Sequence, residues 1–347
     1  MRKNLFNIGL IVTFALSAVA HYMHWGTTIQ FAISCLAILF VAGFLGKATE
    51  SVAHYAGDRM GGFLNATFGN AAELIIAFFL VKDGMFDVVK ASLTGAIIGN
   101  LLLVLGASVL AGGLKFKEQN FNIKLASHNA SLMTLAVIAL FIPAVFAKSL
   151  TQKETTQMSL IVAGVLIVAY ILWLIFSMVT HKKELSDQVV EHSEPAWSKR
   201  TSILFLILAT VMVGFESEWL VGTLEEFTSQ FGLSELFVGA FLIAIIGNAA
   251  EHSAAVMMAL KNKIGAAVEI AVGSSLQIAL FVAPVLIFSS FFMGNTMDIV
   301  FTTYELVAIG VAVIISKSIS QDGSSNWYEG VLLLAVYLIL GVVFFLV

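Results

Sequence analysis

The sequence predicts an all-α polytopic membrane protein: eleven transmembrane helices, arranged as two inverted five-helix repeats behind an extra N-terminal helix. Three observations predict it. Hydrophobic residues fill 59% of the 347 positions and charged residues only 12%, against about 45–50% and about 25% in soluble domains. Eleven apolar runs are long enough to cross a bilayer as helices, which takes about 20 residues each. The pentapeptide Gly-Asn-Ala-Ala-Glu occurs twice, at 69–73 and 247–251, each time inside such a run.

The runs lie near 5–23, 30–53, 62–81, 90–112, 126–147, 157–180, 201–219, 235–258, 267–291, 299–317 and 327–346. The first follows Met1-Arg2-Lys3 without a convincing small-residue cleavage site, so it reads as a span and not as a removed leader. The long polar connection "HKKELSDQVVEHSEPAWSKR", residues 181–200, reads as a solvated linker; a regulatory cation site there is the alternative. The expected division is therefore an N-terminal helix (1–25), a first transmembrane repeat (26–180), a cytoplasmic charged linker (181–200) and a second repeat (201–347).

Fourteen of the eighteen lysines and arginines fall on the side of the N-terminus; Lys82, Lys90, Lys148 and Lys153 fall on the other. Basic residues stay in the cytoplasm. The N-terminus is expected inside, and the eleventh span then leaves the C-terminus outside.

The repeat extends beyond the pentapeptides. "GKATESVA" (46–53) precedes the first and "ESEWLVG" (216–222) the second, which sets Glu50 against Glu218. "GAIIGNLLLVLG" (95–106) follows the first, and "VGSSLQIALFVAP" (272–284) the second. Spans two to six then match spans seven to eleven. Five is odd, so the two copies run in opposite directions, the inverted-repeat plan of many secondary transporters, whose site lies near the midplane between the repeats.

A carboxylate at that depth is costly, by about 2.5–3.5 kcal/mol on insertion scales. It takes a proton or meets a cation. Asn70 and Glu73, like Asn248 and Glu251, are spaced to share one helix face. If the helix loosens at Gly69 and Gly247, freed backbone carbonyls could add to the donors, as is permitted where backbone lines a cavity. Such hard oxygen donors suit calcium, which takes six to eight oxygens in flexible geometry, whereas magnesium resists losing its water. Two carboxylates balance one divalent ion and can each take a proton when it leaves, which is exchange in its simplest form. Close helix packing through Gly-x-x-x-small patterns is the bland alternative, and the duplication argues against it.

In the span after each motif, Asn100 on one side and Ser274, Ser275 and Gln277 on the other occupy matching places. They could coordinate ions, hold the glutamates or join helices. His252 follows Glu251 where Leu74 follows Glu73; it is a candidate titrating group or a satisfied structural histidine. Glu50 and Glu218 are candidates for a proton or ion access path, or are solvated span ends. The net charge of −4 argues against nucleic acid, and the single Cys35 excludes an intrachain disulfide. The expected partners are the lipid bilayer, Ca2+ and H+, with a homo-oligomer left open. No cofactor is expected beyond the transported ions.

These stretches resemble the calcium/cation–proton exchanger (CAX) family. "GKATESVAHYAGDRMGGFLNATFGNAAELIIAFFLVKDG" (46–84) is similar to the family's first repeat signature and "QNFNIKLASHNASLMTLAVIALFIPAVF" (119–146) to its middle segment. "GLSELFVGAFLIAIIGNAAEHSAAVMMALKNKIGAAVEIAVGSSLQIALFVAPVLI" (232–287) is similar to its second repeat, including the histidine after the glutamate. The resemblance implies calcium leaving the cytosol against protons. Glu73 and Glu251 would carry ion and protons in alternation, supported by Asn70 and Asn248, and the spans holding Glu50 and Glu218 would gate access by sliding. Two departures matter. The linker is not a pure acidic run, and the long N-terminal tail of plant members is missing, which implies a bacterial plasma-membrane protein without that autoinhibition.

Three other readings compete. A sodium–calcium exchanger should need more oxygen ligands, including hydroxyls beside each motif, where this chain has alanines. A divalent cation channel would use the two acids as a filter. An intramembrane hydrolase should show a motif such as H-E-x-x-H, or a serine with a base partner, and neither is present.

Overall fold

A computed structural model describes residues 2–181 and 195–347, so all but His181 and the end of the expected linker lies outside the described residues. The described chain is helical except for two three-residue strands and short connections. α1 (Arg2–Tyr22) and α2 (Thr27–Phe68) lead to α3 (Ala71–Lys82), then α4 (Phe86–Ile98) and α5 (Leu105–Phe116), with β1 (Glu118–Asn120) between α5 and α6 (Ile123–Phe146). α7 (Gln152–Ile175) closes this part. Next come α8 (Lys199–Phe231), α9 (Ala244–Ala259), α10 (Ile264–Gln277), α11 (Ala283–Phe292) and α12 (Thr303–Ile319). β2 (Ser324–Asn326) and α13 (Trp327–Leu346) end the chain.

Nine helices among the described residues are long and apolar enough to span a membrane. The third and tenth expected runs form helices but fall short of that length, for visible reasons. The third is cut at Gly69-Asn70, so α3 has only 12 residues, and α12 has 17. The stretch before α3 belongs to α2, which runs through a turn at Gly57 with φ 78° and ψ 169°. A left-handed φ is open to glycine, and at nearby Gly61 an added Cβ would overlap the Ala53 carbonyl oxygen.

The helices that carry the polar residues sit innermost. In the Phe86–Phe116 and Ile264–Phe292 spans 72% of the most apolar window is buried, against 22% for α1, α6, α7 and α13. Both inner spans contain a π-helical insert, Gly99–Val104 between α4 and α5 and Ile278–Val282 between α10 and α11. A third insert, Val238–Ile243, leads directly into α9. Such inserts widen the helix by a residue and often mark functional sites.

Glycines set how closely these elements cross. A Cβ on Gly95 would overlap the Ala240 carbonyl, and one on Gly239 would lie 2.7 Å from Val88 O, so α4 and the third π insert meet backbone to backbone. That is small-residue packing between membrane helices. Glu305, unassigned from sequence, closes a capping box: its Oε2 accepts from Thr302 N at 2.7 Å. At one end of the bundle β1 pairs antiparallel with β2, Gln119 opposite Ser325. Gln119 then donates to Ala259 O (3.0 Å) and Asn262 Oδ1 (2.8 Å), which fixes the last turn of α9.

Candidate ion-exchange site

The break at Gly69-Asn70 starts the site. Asn70 stands at the N-cap of α3, where an asparagine normally caps its own helix. Here its side chain makes no such bond. It turns instead to α10, where its Oδ1 accepts from Ser274 Oγ at 2.7 Å and its Nδ2 donates to Gln277 Oε1. Asn100, in the first π insert, donates from Nδ2 to the same Ser274 oxygen at 3.1 Å. One serine of α10 thus connects α3 and the insert after α4.

Glu73, one turn into α3, lies against α9. A Cβ on Gly247 would be 3.3 Å from Glu73 Cγ and 3.7 Å from its Oε1. Glu251 follows Gly247 by four residues in the same unbroken helix and so shares the face of α9 that meets Glu73. Asn248 is fully buried; its Nδ2 donates to Ala244 O at 2.9 Å, which leaves Oδ1 free to face a ligand. Buried oxygens without a hydrogen-bond partner include Glu73 Oε2, Glu251 Oε2, Asn248 Oδ1 and Asn100 Oδ1. Buried polar atoms are normally paired. Four orphaned oxygens, two of them on neighbouring carboxylates, make a set of hard donors suited to a divalent cation such as calcium. Among the described residues no cluster of three or more His, Cys, Asp and Glu competes with it.

The structure bonds Asn70, Asn100, Ser274 and Gln277 into one network and sets Glu73 against Gly247 of the helix that carries Asn248 and Glu251. It corrects one expectation: the helix does not loosen at Gly247. α9 runs unbroken from Ala244 to Ala259, because the Asn248 amide bonds back to Ala244 and the irregular turn falls earlier, in the π insert. Only Gly69 lies at a break, and Gly247 serves by making room for Glu73. Ser275 bonds back to Ala271 O at 2.9 Å and reaches Ile97 O at 3.5 Å, so it joins α10 to α4 away from the pair. His252 is half-buried, with Nε2 unpartnered.

Glu50 and Glu218 are not brought to the pair. Glu50 is exposed, and Glu218 is exposed and 3.4 Å from Lys82. The buried acid of α8 is Glu216, fully enclosed, with Oε2 accepting from Ser17 Oγ at 2.7 Å. A signal for it exists in the sequence: Glu50-Ser51 matches Glu216-Ser217 as a dipeptide, which the alignment on Glu218 passed over.

Known proteins share this chain almost end to end. The Ca(2+)/H(+) antiporter ChaA of Bacillus subtilis (strain 168) is 48% identical over 336 residues, covering 95% of this chain and 96% of its own length. A Ca(2+)/H(+) antiporter of Synechocystis sp. is 47% identical, covering 97% and 96%. The solved structure of native YfkE superposes with a TM-score of 0.88 at 44% identity, covering 99% of this chain and all of that one. The family described as sodium/calcium exchanger protein matches residues 26–179 and 201–346. The chain belongs to that family, and within it to the calcium/cation–proton exchangers.

Proposed function

We propose that this protein is an antiporter that exports Ca2+ from the cytosol in exchange for H+, and that Glu73 and Glu251 carry both ions in turn. The observation that carries the reading is the packing of the Glu73 side chain against Gly247, one turn before Glu251 on the same helix, with a buried, unpartnered oxygen on each carboxylate. With Ca2+ bound, the two charges are balanced and the Asn248 and Asn100 oxygens complete part of its shell. When Ca2+ leaves, two neighbouring bare carboxylates cannot both stay charged in a dry interior. Protons take its place, and the neutralised site can turn back across the membrane. Asn70, Ser274 and Gln277 hold the first helix break in register and leave the glutamates free.

The same reading places eleven transmembrane helices in the bilayer of a bacterial plasma membrane, as an N-terminal helix (1–25), two inverted repeats (26–180 and 201–347) and a cytoplasmic linker (181–200). What supports it is the family's match in two stretches, 26–179 and 201–346, and the π inserts in the innermost span of each half. Alternating access then has α2 and α8, the spans before the two motifs, moving against the helices that hold the pair. The N-terminus lies inside and the C-terminus outside.

The test is calcium flux into inside-out vesicles under an imposed proton or sodium gradient. Uptake driven by the proton gradient alone is the expected result. Sodium-driven uptake would assign sodium coupling, and flux without any counter-ion would assign a channel.

A further inference from the structure

α1 stands outside both proposed repeats, and its role is not explained by the ion pair. Its window is only 22% buried, with Leu5, Ile8, Ile11 and Val12 on the outer surface. Its other face is specific. Phe14, Ser17 and His21 recur at helical spacing and all meet α8. Ser17 Oγ donates to Glu216 Oε2 at 2.7 Å and lies 3.1 Å from Ser34 Oγ of α2. Ser17 and Ser34 are 2% exposed, Glu216 is 0% exposed, and its Oε1 has no partner. One turn further along α8, the Trp219 ring stacks on His21 at 5.3 Å and meets Phe14 at 5.9 Å and Tyr22 at 6.0 Å.

α1 is therefore what separates a mid-helix carboxyl group from the lipid. Glu216 and Ser34 sit on α8 and α2, the two helices that move in the exchange cycle proposed above. If α1 stayed behind while they moved, Glu216 would open onto hydrocarbon and Ser17 would lose its acceptor, both costly in a medium without water. Resting on that exchange reading, we infer that α1 is a cover carried by the α2–α8 pair, moving with it in every cycle and bound through the Ser17–Glu216 hydrogen bond and the aromatic ring around Trp219.

Two arms test this. In a Cys35→Ser background, Phe14→Cys and Trp219→Cys are joined by a short bismaleimide, and proton-driven Ca2+ uptake is compared before and after linking. Unchanged uptake is expected. Uptake lost on linking would show that α8 slides past a static α1 and would overturn the inference. The second arm needs no transport: the thermal stability of Ser17→Leu is compared with that of Ser17→Leu/Glu216→Leu. The single variant is expected to be less stable and the double to recover, because the carboxyl group that needs a cover is gone. A double variant no more stable than the single would contradict the cover. Wild-type vesicles without proton-driven uptake would overturn the exchange reading instead, with the second arm still legible.

Discussion

Gly247 on α9 faces the Glu73 side chain of α3 so closely that a methyl group there would sit 3.3 Å from Glu73 Cγ. The first glutamate of the pair therefore owes its position to a glycine of the second motif. Gly247→Ala is expected to push Glu73 off the pair without unfolding α9, which is helical at that residue. Ca2+ uptake should show a raised KM at unchanged protein yield, and Gly247→Val should be worse. A KM unaltered by alanine would mean that Glu73 is not held there.

Glu73→Gln and Glu251→Gln each remove one of two charges from the ligand set. A charged ligand contact is worth about 1.5–3 kcal/mol, so Ca2+ binding should weaken by at least about tenfold. Either variant should also stop exchange, since an amide cannot carry the returning proton. Measuring 45Ca2+ binding and vesicle flux on the same preparations separates these two effects.

Ser274 joins Asn70 and Asn100 through one oxygen. Ser274→Ala should therefore reduce turnover more than Ser275→Ala, whose hydroxyl bonds to the backbone of its own helix. Ser274→Thr should recover part of the loss. Equal effects of the two alanines would remove Ser274 from the site.

Protons and Ca2+ are expected to compete for the same carboxylates, which fixes a sign. Lowering pH on the Ca2+-loading side converts carboxylates to neutral acids and must raise the apparent KM for Ca2+. Lowering it on the release side supplies the counter-ion and must speed turnover. Uptake recorded while each side is varied alone checks both directions.

The crossing of α4 with the insert before α9 is a stability hinge. A Cβ at Gly95 meets backbone, not a flexible side chain, and overpacking of this kind costs about 1–3 kcal/mol. Gly95→Ala should lower the unfolding temperature in detergent, whereas Gly164→Ala, with open space around it, should not.

Much of this was legible before any coordinates. Nine of the eleven apolar runs are helices long enough to span among the described residues, because hydrophobic length decides that in a bilayer; the third is cut at Gly69-Asn70 and the tenth is helical only from Thr303. The doubled pentapeptide singled out Glu73 and Glu251 as candidates, since an intramembrane acid is rare enough to stand out. Two features were hidden. The role of Gly247 depends on a helix packed against it, which no spacing within one motif reveals. Glu216 was passed over for Glu218 because both lie in "ESEW", and only the fold shows that one faces α1 and Ser17 while its neighbour faces outward beside Lys82.

The central claim is that one pair of carboxylates binds either Ca2+ or protons. It is tested most directly by titrating purified protein with Ca2+ in weakly buffered solution and recording the protons released. The account predicts proton release that follows Ca2+ binding and disappears in Glu73→Gln/Glu251→Gln. Ca2+ binding with no proton release in the wild type, or release that persists in the double variant, would contradict it.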